Sequence, residues 1–172
     1  MRKSILSGIK MQGAPLGAPF QFSRVMKKND IKKILALKPL EPEGGYFHEI
    51  FRSKIQIDPK IIREEYDGKR SLFTIIFYLL DEETNSAPHR LHSDEIWFFH
   101  IGNSIEIKLV YPDGKNELII LGNDIENGER LQLVIPAGTI QSAKMLDGEY
   151  DFALVSTVVI PGFDYKDFEI ID

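Results

Sequence analysis

The stretch SIEIKLVYPDGKNELIILG, residues 104–122, contains the clearest fold signal in the chain. Ile105, Ile107 and Leu109 alternate with polar neighbours, as side chains do on a strand that buries one face. A Pro-Asp-Gly turn follows at 112–114, and a second apolar run begins after it. The stretch therefore predicts an antiparallel β-hairpin.

Other segments repeat this pattern of short strands between turns. RLQLVIPAG (130–138) alternates apolar and polar residues, and DFALVSTVVIPGF (151–163) is an apolar run that ends in a Pro-Gly turn. One helix is predicted near the start, over NDIKKILAL (29–37), with Asn29 or Asp30 as its N-cap. This organisation predicts an all-β antiparallel sandwich or barrel rather than alternating strands and helices.

The composition limits the classes of function. The chain has 172 residues, of which 43% are hydrophobic and 27% charged, so it can bury the core of one domain. Its formal net charge is -5 and its 21 Lys and Arg are dispersed, which argues against nucleic-acid binding. The longest apolar run, at 72–80, is far shorter than the roughly 20 residues that cross a bilayer. The chain has no cysteine, which excludes thiol chemistry and favours a reducing, cytoplasmic location.

Residues 1–25 differ in composition from the rest of the chain. They contain basic residues but no acidic ones, and their middle is rich in Gly, Ala and Pro. We interpret them as an N-terminal extension or leader, either native or added upstream, because Met26 begins a second plausible start. We therefore expect the domain to comprise residues 26–172.

The segment SAPHRLHSDEIWFFHIG (86–102) holds three of the four histidines. Alternate residues of a strand share a face. The face that contains the first histidine would also carry a carboxylate and two aromatic rings, through His89, Glu95, Trp97 and Phe99. His92 and His100 would fall on the other face. If the first face points inward, an imidazole and a carboxylate converge in an aromatic-walled interior, as a small-molecule site requires.

This segment resembles the first motif of the cupin superfamily. That motif is a His-x-His pair followed by a Glu and, after six residues, a Gly. His89, Glu95 and Gly102 stand at the corresponding positions, whereas Leu91 stands at the second histidine.

The second cupin motif, Pro-x-Gly-x-x-His, resembles PAGTIQ at 136–141, where Gln141 stands at the histidine. Two of the four metal-ligand positions that the resemblance implies are therefore lost. Because a catalytic metal site needs about three protein ligands, we expect no tightly bound metal and no cofactor. The alternative left open is a metal-dependent enzyme with His89, Glu95, Gln141 and His92 as ligands.

The resemblance is closer to one branch, the cupin-5 family of DUF985-type proteins. It rests on PEGGYFHEIFRS (42–53), SAPHRLHSDEIW (86–97), VIPAGTIQSA (134–143) and PGFDYKDFEI (161–170). It implies a double-stranded antiparallel β-helix jelly roll, the cupin barrel, with a short N-terminal helix, and a homodimer. The chain departs from the family pattern at Glu41, where a His is common, and at Ile140, where a Trp is usual.

The resemblance also implies which side chains line the pocket. His89 and Glu95 are the predicted catalytic residues, acting as base and orienting carboxylate. The predicted ligand-binding residues are Tyr46, Glu49, Arg52, Trp97, Phe99, Gln141, Phe163 and Asp164. Glu49 and Arg52 have opposite strand parity, so both reach one cavity only if a bulge or bend intervenes.

The leading functional hypothesis is binding of a small polar ligand, carbohydrate-like or nucleotide-sugar-like, in the barrel. Metal-free cupin-like sugar epimerases use a histidine base, so the resemblance extends to isomerase or epimerase chemistry. Two other hypotheses stay open, and they leave open whether the chain is an enzyme. One is a metal-dependent oxygenase or isomerase, and the other is a non-catalytic dimeric scaffold or storage-like protein.

Overall fold

The computed structural model describes residues 26–171, so the extension predicted at 1–25 lies outside the described residues. Within this part of the chain one α-helix, α1, spans Lys28–Ile34, and no helix is both long and apolar enough to cross a bilayer. Short 3-10 helices span Pro59–Ile61, Ile125–Asn127 and Tyr165–Asp167. The strands are, in chain order, β1 (Lys38–Pro39), β2 (Tyr46–Arg52), β3 (Gln56–Ile57), β4 (Arg70–Ser71), β5 (Thr74–Asp81), β6 (Ser86–Leu91), β7 (Asp94–Gly102), β8 (Ile105–Val110), β9 (Asn116–Leu121), β10 (Gln132–Ile135), β11 (Ile140–Met145), β12 (Phe152–Ile160) and β13 (Phe168–Ile170).

Two antiparallel sheets build the barrel. The larger sheet has the order β1-β2-β5-β12-β7-β10 and the smaller one the order β13-β6-β11-β8-β9. From β5 to β8, successive strands alternate between the two sheets, which is the topology of a jelly roll. The expected all-β jelly roll with a short N-terminal helix is confirmed.

The hairpin predicted at 104–122 forms the outer part of the smaller sheet. Strands β8 and β9 pair from Ile105 opposite Leu121 to Val110 opposite Asn116. Gly114 has a φ of 83° in the turn, a conformation in which residues with a Cβ are strained. The turn residue and the alternating pattern together specify the register of this pair.

Helix α1 is capped in a way that differs from the prediction. Asn29 and Asp30 lie inside its first turn, and the N-cap position is Lys27, whose side chain makes no capping bond. Instead the carboxylate of Asp151, just before β12, accepts a hydrogen bond from the Lys28 amide at 3.0 Å. The cap therefore comes from a distant part of the chain, which a local capping pattern cannot predict.

The apolar core lies between the two sheets. Trp97 and Tyr78, each 1% exposed, meet edge to face with ring centroids 5.6 Å apart. From the smaller sheet, Ile105, Ile107 and Leu109 point into the same core, as their alternation predicts. Each large apolar side chain buried in this way contributes about 1.5–3 kcal/mol to folding.

A buried ion pair holds the C-terminal segment against the barrel. Arg70 donates to both carboxylate oxygens of Asp167, at 2.6 and 2.7 Å, and both side chains are almost fully buried. The third guanidinium nitrogen of Arg70 reaches the backbone carbonyls at 67–69. The backbone carbonyl of Asp167 accepts a hydrogen bond from the His92 amide. The ion pair joins β4 to the segment before β13, and the backbone hydrogen bond from His92 joins the same segment to the turn between β6 and β7.

We expect Asp167→Ala to lower the free energy of unfolding by about 3–5 kcal/mol, because it leaves the Arg70 guanidinium buried without its partner. The matched control is Glu169→Ala, which removes an exposed ion pair with Arg90 and should cost at most about 1 kcal/mol. Urea denaturation of both variants measures the difference. Equal losses would show that the buried pair does not hold the segment.

Candidate functional site

A cavity of about 140 Å³ lies between the two sheets. A single water molecule occupies at least about 10–15 Å³ of such space, so the cavity has room for a small organic molecule. Its walls come from both sheets, the segment before β2 and the segment before β13. The lining residues are Leu40, Glu43, Phe47, Glu49, Arg52, Thr74, Ile76, Tyr78, His89, Leu91, Glu95, Trp97, Thr157, Val159, Phe163 and Tyr165.

The larger sheet presents two rows of side chains to the cavity. Residues directly opposite each other in an antiparallel sheet point to the same face. One row across β7, β12, β5 and β2 consists of Glu95, Val159, Thr74 and Arg52. The next row consists of Trp97, Thr157, Ile76 and Glu49. The carboxylate of Glu95 and the indole of Trp97 therefore lie side by side on one wall.

A β-bulge brings Glu49 and Arg52 to the same cavity despite their opposite parity. The pairing of β2 with β5 shifts register between Glu49 and Phe51, which leaves Ile50 as the extra residue. Arg52 then donates to both carboxylate oxygens of Glu49, at 3.0 and 2.6 Å. It also donates to the backbone carbonyl of Phe163 at 2.9 Å. The guanidinium thus has its charge balanced by Glu49 and is joined to the C-terminal wall of the cavity.

His89 enters the cavity from the facing sheet with a defined orientation. Its Nδ1 lies 2.8 Å from the backbone carbonyl oxygen of Ala87. Because a carbonyl oxygen only accepts hydrogen bonds, Nδ1 must carry the hydrogen. In the neutral imidazole Nε2 is then the bare acceptor, and it lies 3.9 Å from Oε2 of Glu43. The ring also packs on Phe168 with centroids 5.4 Å apart.

Glu43 is the acidic cavity residue that the sequence did not indicate. Its side chain is 13% exposed, and Oε1 accepts a hydrogen bond from the Ser86 hydroxyl at 3.0 Å. Burial raises the pKa of Glu43 above its ordinary value, the nearby His89 lowers it, and Glu95 raises it again. The carboxyl group therefore holds its proton more tightly than an exposed glutamate does.

The PEGGYF segment contains a signal that points to Glu43. Gly44 and Gly45 follow it with φ of 103° and 73°, so the chain turns sharply there. A Cβ on Gly44 would collide with the carbonyl oxygen of Asn85, and the Tyr78 hydroxyl donates to the Gly44 carbonyl at 2.9 Å. The two glycines hold the turn close to β5 and β6, which places the preceding glutamate over the cavity.

Gln141 acts on the site through Glu95. Its amide Nε2 donates to Oε2 of Glu95 at 2.7 Å, and both side chains are buried. It is not among the lining residues, but it lies directly opposite His89 in the pairing of β11 with β6. The hydrogen bond orients one oxygen of the Glu95 carboxylate and leaves the other available to a ligand.

The metal that the superfamily resemblance implies does not fit this donor set. Leu91 lines the cavity with an alkyl side chain where the superfamily has its second histidine. Gln141 points an amide N–H, which cannot coordinate a cation, at Glu95. Among residues 26–171 no three His, Asp or Glu side chains are grouped so that they could hold a metal ion.

The structure places three predicted ligand-binding residues away from the cavity. Tyr46 points outward, with the ammonium of Lys32 3.4 Å from its ring centroid, and its neighbour Phe47 lines the cavity. Phe99 packs against the apolar core. Asp164 accepts a hydrogen bond from the Lys166 amide and caps a 3-10 helix. The remaining predicted residues line the cavity, apart from Gln141, which contacts Glu95.

The other two histidines of the 86–102 segment lie outside the cavity, His92 in the turn between β6 and β7, where the strand parity used to predict its position does not apply, and His100 on β7. His92 packs edge to face on Tyr66 and has Nδ1 3.9 Å from Asp167. His100 contacts the Ser156 hydroxyl at 2.9 Å, and burial lowers its pKa. His92 is therefore not placed to complete a metal site with His89 and Glu95.

The jelly roll, with an imidazole and carboxylates converging inside it, defines the class of protein as a cupin barrel. The chain belongs to the DUF985 family of the cupin superfamily, and the model of that family matches residues 29–171.

Individual relatives agree with this assignment. The chain is 33% identical over 132 residues to the uncharacterized protein YML079W of Saccharomyces cerevisiae, a match that covers 73% of this chain and spans 66% of the yeast protein's length. A solved structure of a hypothetical protein from Leishmania major is 34% identical, with a TM-score of 0.78 over 85% of this chain and 88% of that one. Protein SO0799 from Shewanella oneidensis is 35% identical, with a TM-score of 0.75 over 86% of this chain and 85% of that one.

We expect neutral His89 to be the tautomer with hydrogen on Nδ1, because the Ala87 carbonyl can only accept. Long-range ¹H–¹⁵N correlation spectra of the imidazole distinguish the two ring nitrogens. His92 is the control resonance, because its Nδ1 has no hydrogen-bond partner in the described structure. A His89 spectrum with hydrogen on Nε2 would contradict the orientation described above.

Proposed function

We propose that the chain binds a small, polar, sugar-like molecule in the cavity and transfers a proton on it, as a metal-independent isomerase or epimerase does. The observation that carries this proposal is the position of the bare Nε2 of His89, 3.9 Å from a largely buried glutamate. Burying ionisable groups in an apolar cavity is costly, and such groups are concentrated at catalytic sites.

His89 and Glu43 can act as the base and the acid of a proton transfer. Nε2 of His89 would take the proton from a carbon next to a substrate carbonyl, while Nδ1 keeps its hydrogen bond to Ala87. The electron pair of the broken C–H bond then forms an enol, whose oxygen takes a proton from Glu43. The imidazolium then gives its proton to the former carbonyl carbon while the ionised Glu43 takes the proton of the second enediol hydroxyl, which completes an isomerisation. Delivery to the opposite face of the original carbon, with the enol proton returning to Glu43, would complete an epimerisation.

Glu95 would bind rather than react in this scheme. Gln141 holds one of its oxygens, so the carboxylate can accept a hydrogen bond from a substrate hydroxyl in a defined geometry. The walls formed by Ile76, Leu91 and Val159 are apolar and exclude water from the reacting carbon.

Two alternative functions are less well supported by this site. A metal-dependent reaction is disfavoured by Leu91 and by the amide of Gln141, which do not supply ligands. A non-catalytic scaffold would have the same cavity without turnover. For the location, the absence of cysteine continues to favour a reducing compartment such as the cytoplasm.

We expect the purified chain to catalyse exchange of solvent deuterium into at least one member of a panel of free aldoses, ketoses and nucleotide sugars. His89→Ala should lower this exchange by about 10²–10⁴-fold, the usual contribution of a general base. His92→Ala is the matched control and should leave it unchanged, because His92 lies outside the cavity. Mass spectrometry of the recovered sugars measures the exchange. Binding without exchange would favour the non-catalytic reading, and exchange retained by His89→Ala would exclude His89 as the base.

We also propose that a second copy of the chain covers the outer face of the larger sheet. One row on this face consists of Val134, Ile96, Val158 and Ile75. Val134 is 57% exposed there, and an exposed apolar sheet face is typical of an interface. The same patch on each copy can form a two-fold contact, as the homodimer expected from the family resemblance requires.

We expect the wild-type chain to have the mass of a dimer in multi-angle light scattering at micromolar concentration, and Val134→Lys to have the mass of a monomer, because it introduces a charge into the apolar contact. Leu118→Lys on β9 is the control, since Leu118 is 58% exposed on the other sheet. A monomeric wild type, or a dimer that both variants preserve, would contradict this interface.

A further inference from the structure

Two polar atoms on the cavity wall have no hydrogen-bond partner in the described part of the protein. They are Nε1 of Trp97 and Oγ1 of Thr157, on side chains that are 1% and 2% exposed. Trp97 and Thr157 lie directly opposite each other on β7 and β12, so their side chains are neighbours on one face of the sheet. Both residues line the cavity.

Such atoms are costly to bury in a folded chain. A buried polar group without a partner costs about 1–3 kcal/mol. Valine has nearly the shape of threonine and is at least as favourable in a strand, so packing alone does not require the Thr157 hydroxyl. An oxygen atom of a ligand at this point could accept a hydrogen bond from the indole and another from the hydroxyl.

The charged side chains that line the cavity indicate which chemical groups the rest of the ligand carries. Three carboxylates line the cavity, those of Glu43, Glu49 and Glu95, against the single guanidinium of Arg52. Glu49 already pairs with Arg52 through two hydrogen bonds. Glu43 and Glu95 therefore face the cavity without a Lys or Arg partner on its lining. An anionic ligand would meet repulsion from the Glu95 carboxylate, whereas hydroxyl or ammonium groups could donate to Glu95 and to the carbonyl oxygen of the protonated Glu43 carboxyl group.

We propose that the site selects an uncharged or cationic hydroxyl compound, with an oxygen acceptor bound at Trp97 and Thr157 and donor groups bound at Glu43 and Glu95. This inference rests on the proposed function and narrows its substrate class to free sugars or amino sugars rather than phosphorylated or nucleotide-linked ones. Glu95 and Trp97 are two residues apart on one strand, roughly 7 Å, so a single small sugar can span both contacts.

The single tryptophan of the chain makes the test direct. Trp97 gives the only indole N–H signal in a ¹H–¹⁵N spectrum of the full-length protein. Free hexoses, pentoses and hexosamines are titrated against the matching hexuronates, sugar phosphates and nucleotide sugars. We expect neutral sugars or hexosamines to shift the indole signal and the matching anions to bind at least roughly 10-fold more weakly. Anions that bind as tightly as the neutral sugars would overturn the inference and leave the proposed function standing.

A pair of threonine variants tests the acceptor site. Thr157→Val should weaken binding of the sugar that shifts the indole signal by roughly 3- to 10-fold, the effect of one lost hydrogen bond. Thr139→Val is the matched control, because its hydroxyl is also buried without a partner but lies away from the cavity. Both variants should fold and keep or gain thermal stability, since each removes an unpaired hydroxyl.

The remaining outcomes separate the two proposals. Unchanged sugar affinity in Thr157→Val, or equal weakening in Thr139→Val, would overturn the acceptor site. If no member of either charge class shifts the indole signal, the proposed function fails and this inference fails with it.

Discussion

The pairing of β7 with β12 is the constraint on which the cavity depends. Opposed residues in this pair share a face, so one register brings Glu95 beside Val159 and Trp97 beside Thr157 inside the barrel. A slip of one residue would turn the carboxylate and the indole to the outer face. The apolar core around Trp97 prevents such a slip, because it would expose the largest buried side chains. Packing of the core therefore also positions the polar groups of the site.

The cavity and the Arg70–Asp167 pair show two ways of burying charge in one small domain. Arg70 is fully matched by two carboxylate oxygens and three backbone carbonyls, so that pair needs nothing further. Glu43 has one hydroxyl donor and an imidazole 3.9 Å away, which leaves hydrogen-bonding capacity unused. A satisfied pair serves structure, whereas an incompletely satisfied one is suited to exchange protons or partners with a ligand.

Strand parity predicted much of this site, and local departures from regular strands account for the rest. Parity placed Glu95 and Trp97 on one face of β7 correctly, but it treated 89–100 as one strand, whereas His89 lies on β6 in the facing sheet and reaches the cavity from the other side. It did not indicate Glu43, because that residue lies in a turn where no alternation applies. Phe99 lies on the predicted inward face but packs against the apolar core rather than the cavity. Strand alternation predicts which face a side chain is on, and it does not predict how far along the barrel the side chain lies. The opposite parity of Glu49 and Arg52 required a bulge or bend between them, but it did not show that Ile50 is the extra residue.

Loss of the two superfamily histidines changes the site in a concerted way. At the second motif, Gln141 keeps a polar side chain but supplies a hydrogen-bond donor to Glu95 instead of a lone pair for a cation. At the first motif, Leu91 supplies apolar wall beside His89. The Glu95 carboxylate is buried, and the amide of Gln141 supplies a hydrogen-bond donor that offsets its burial. Leu91 and Gln141 thus remove two ligand positions and leave a pocket in which an imidazole and carboxyl groups stand among apolar side chains.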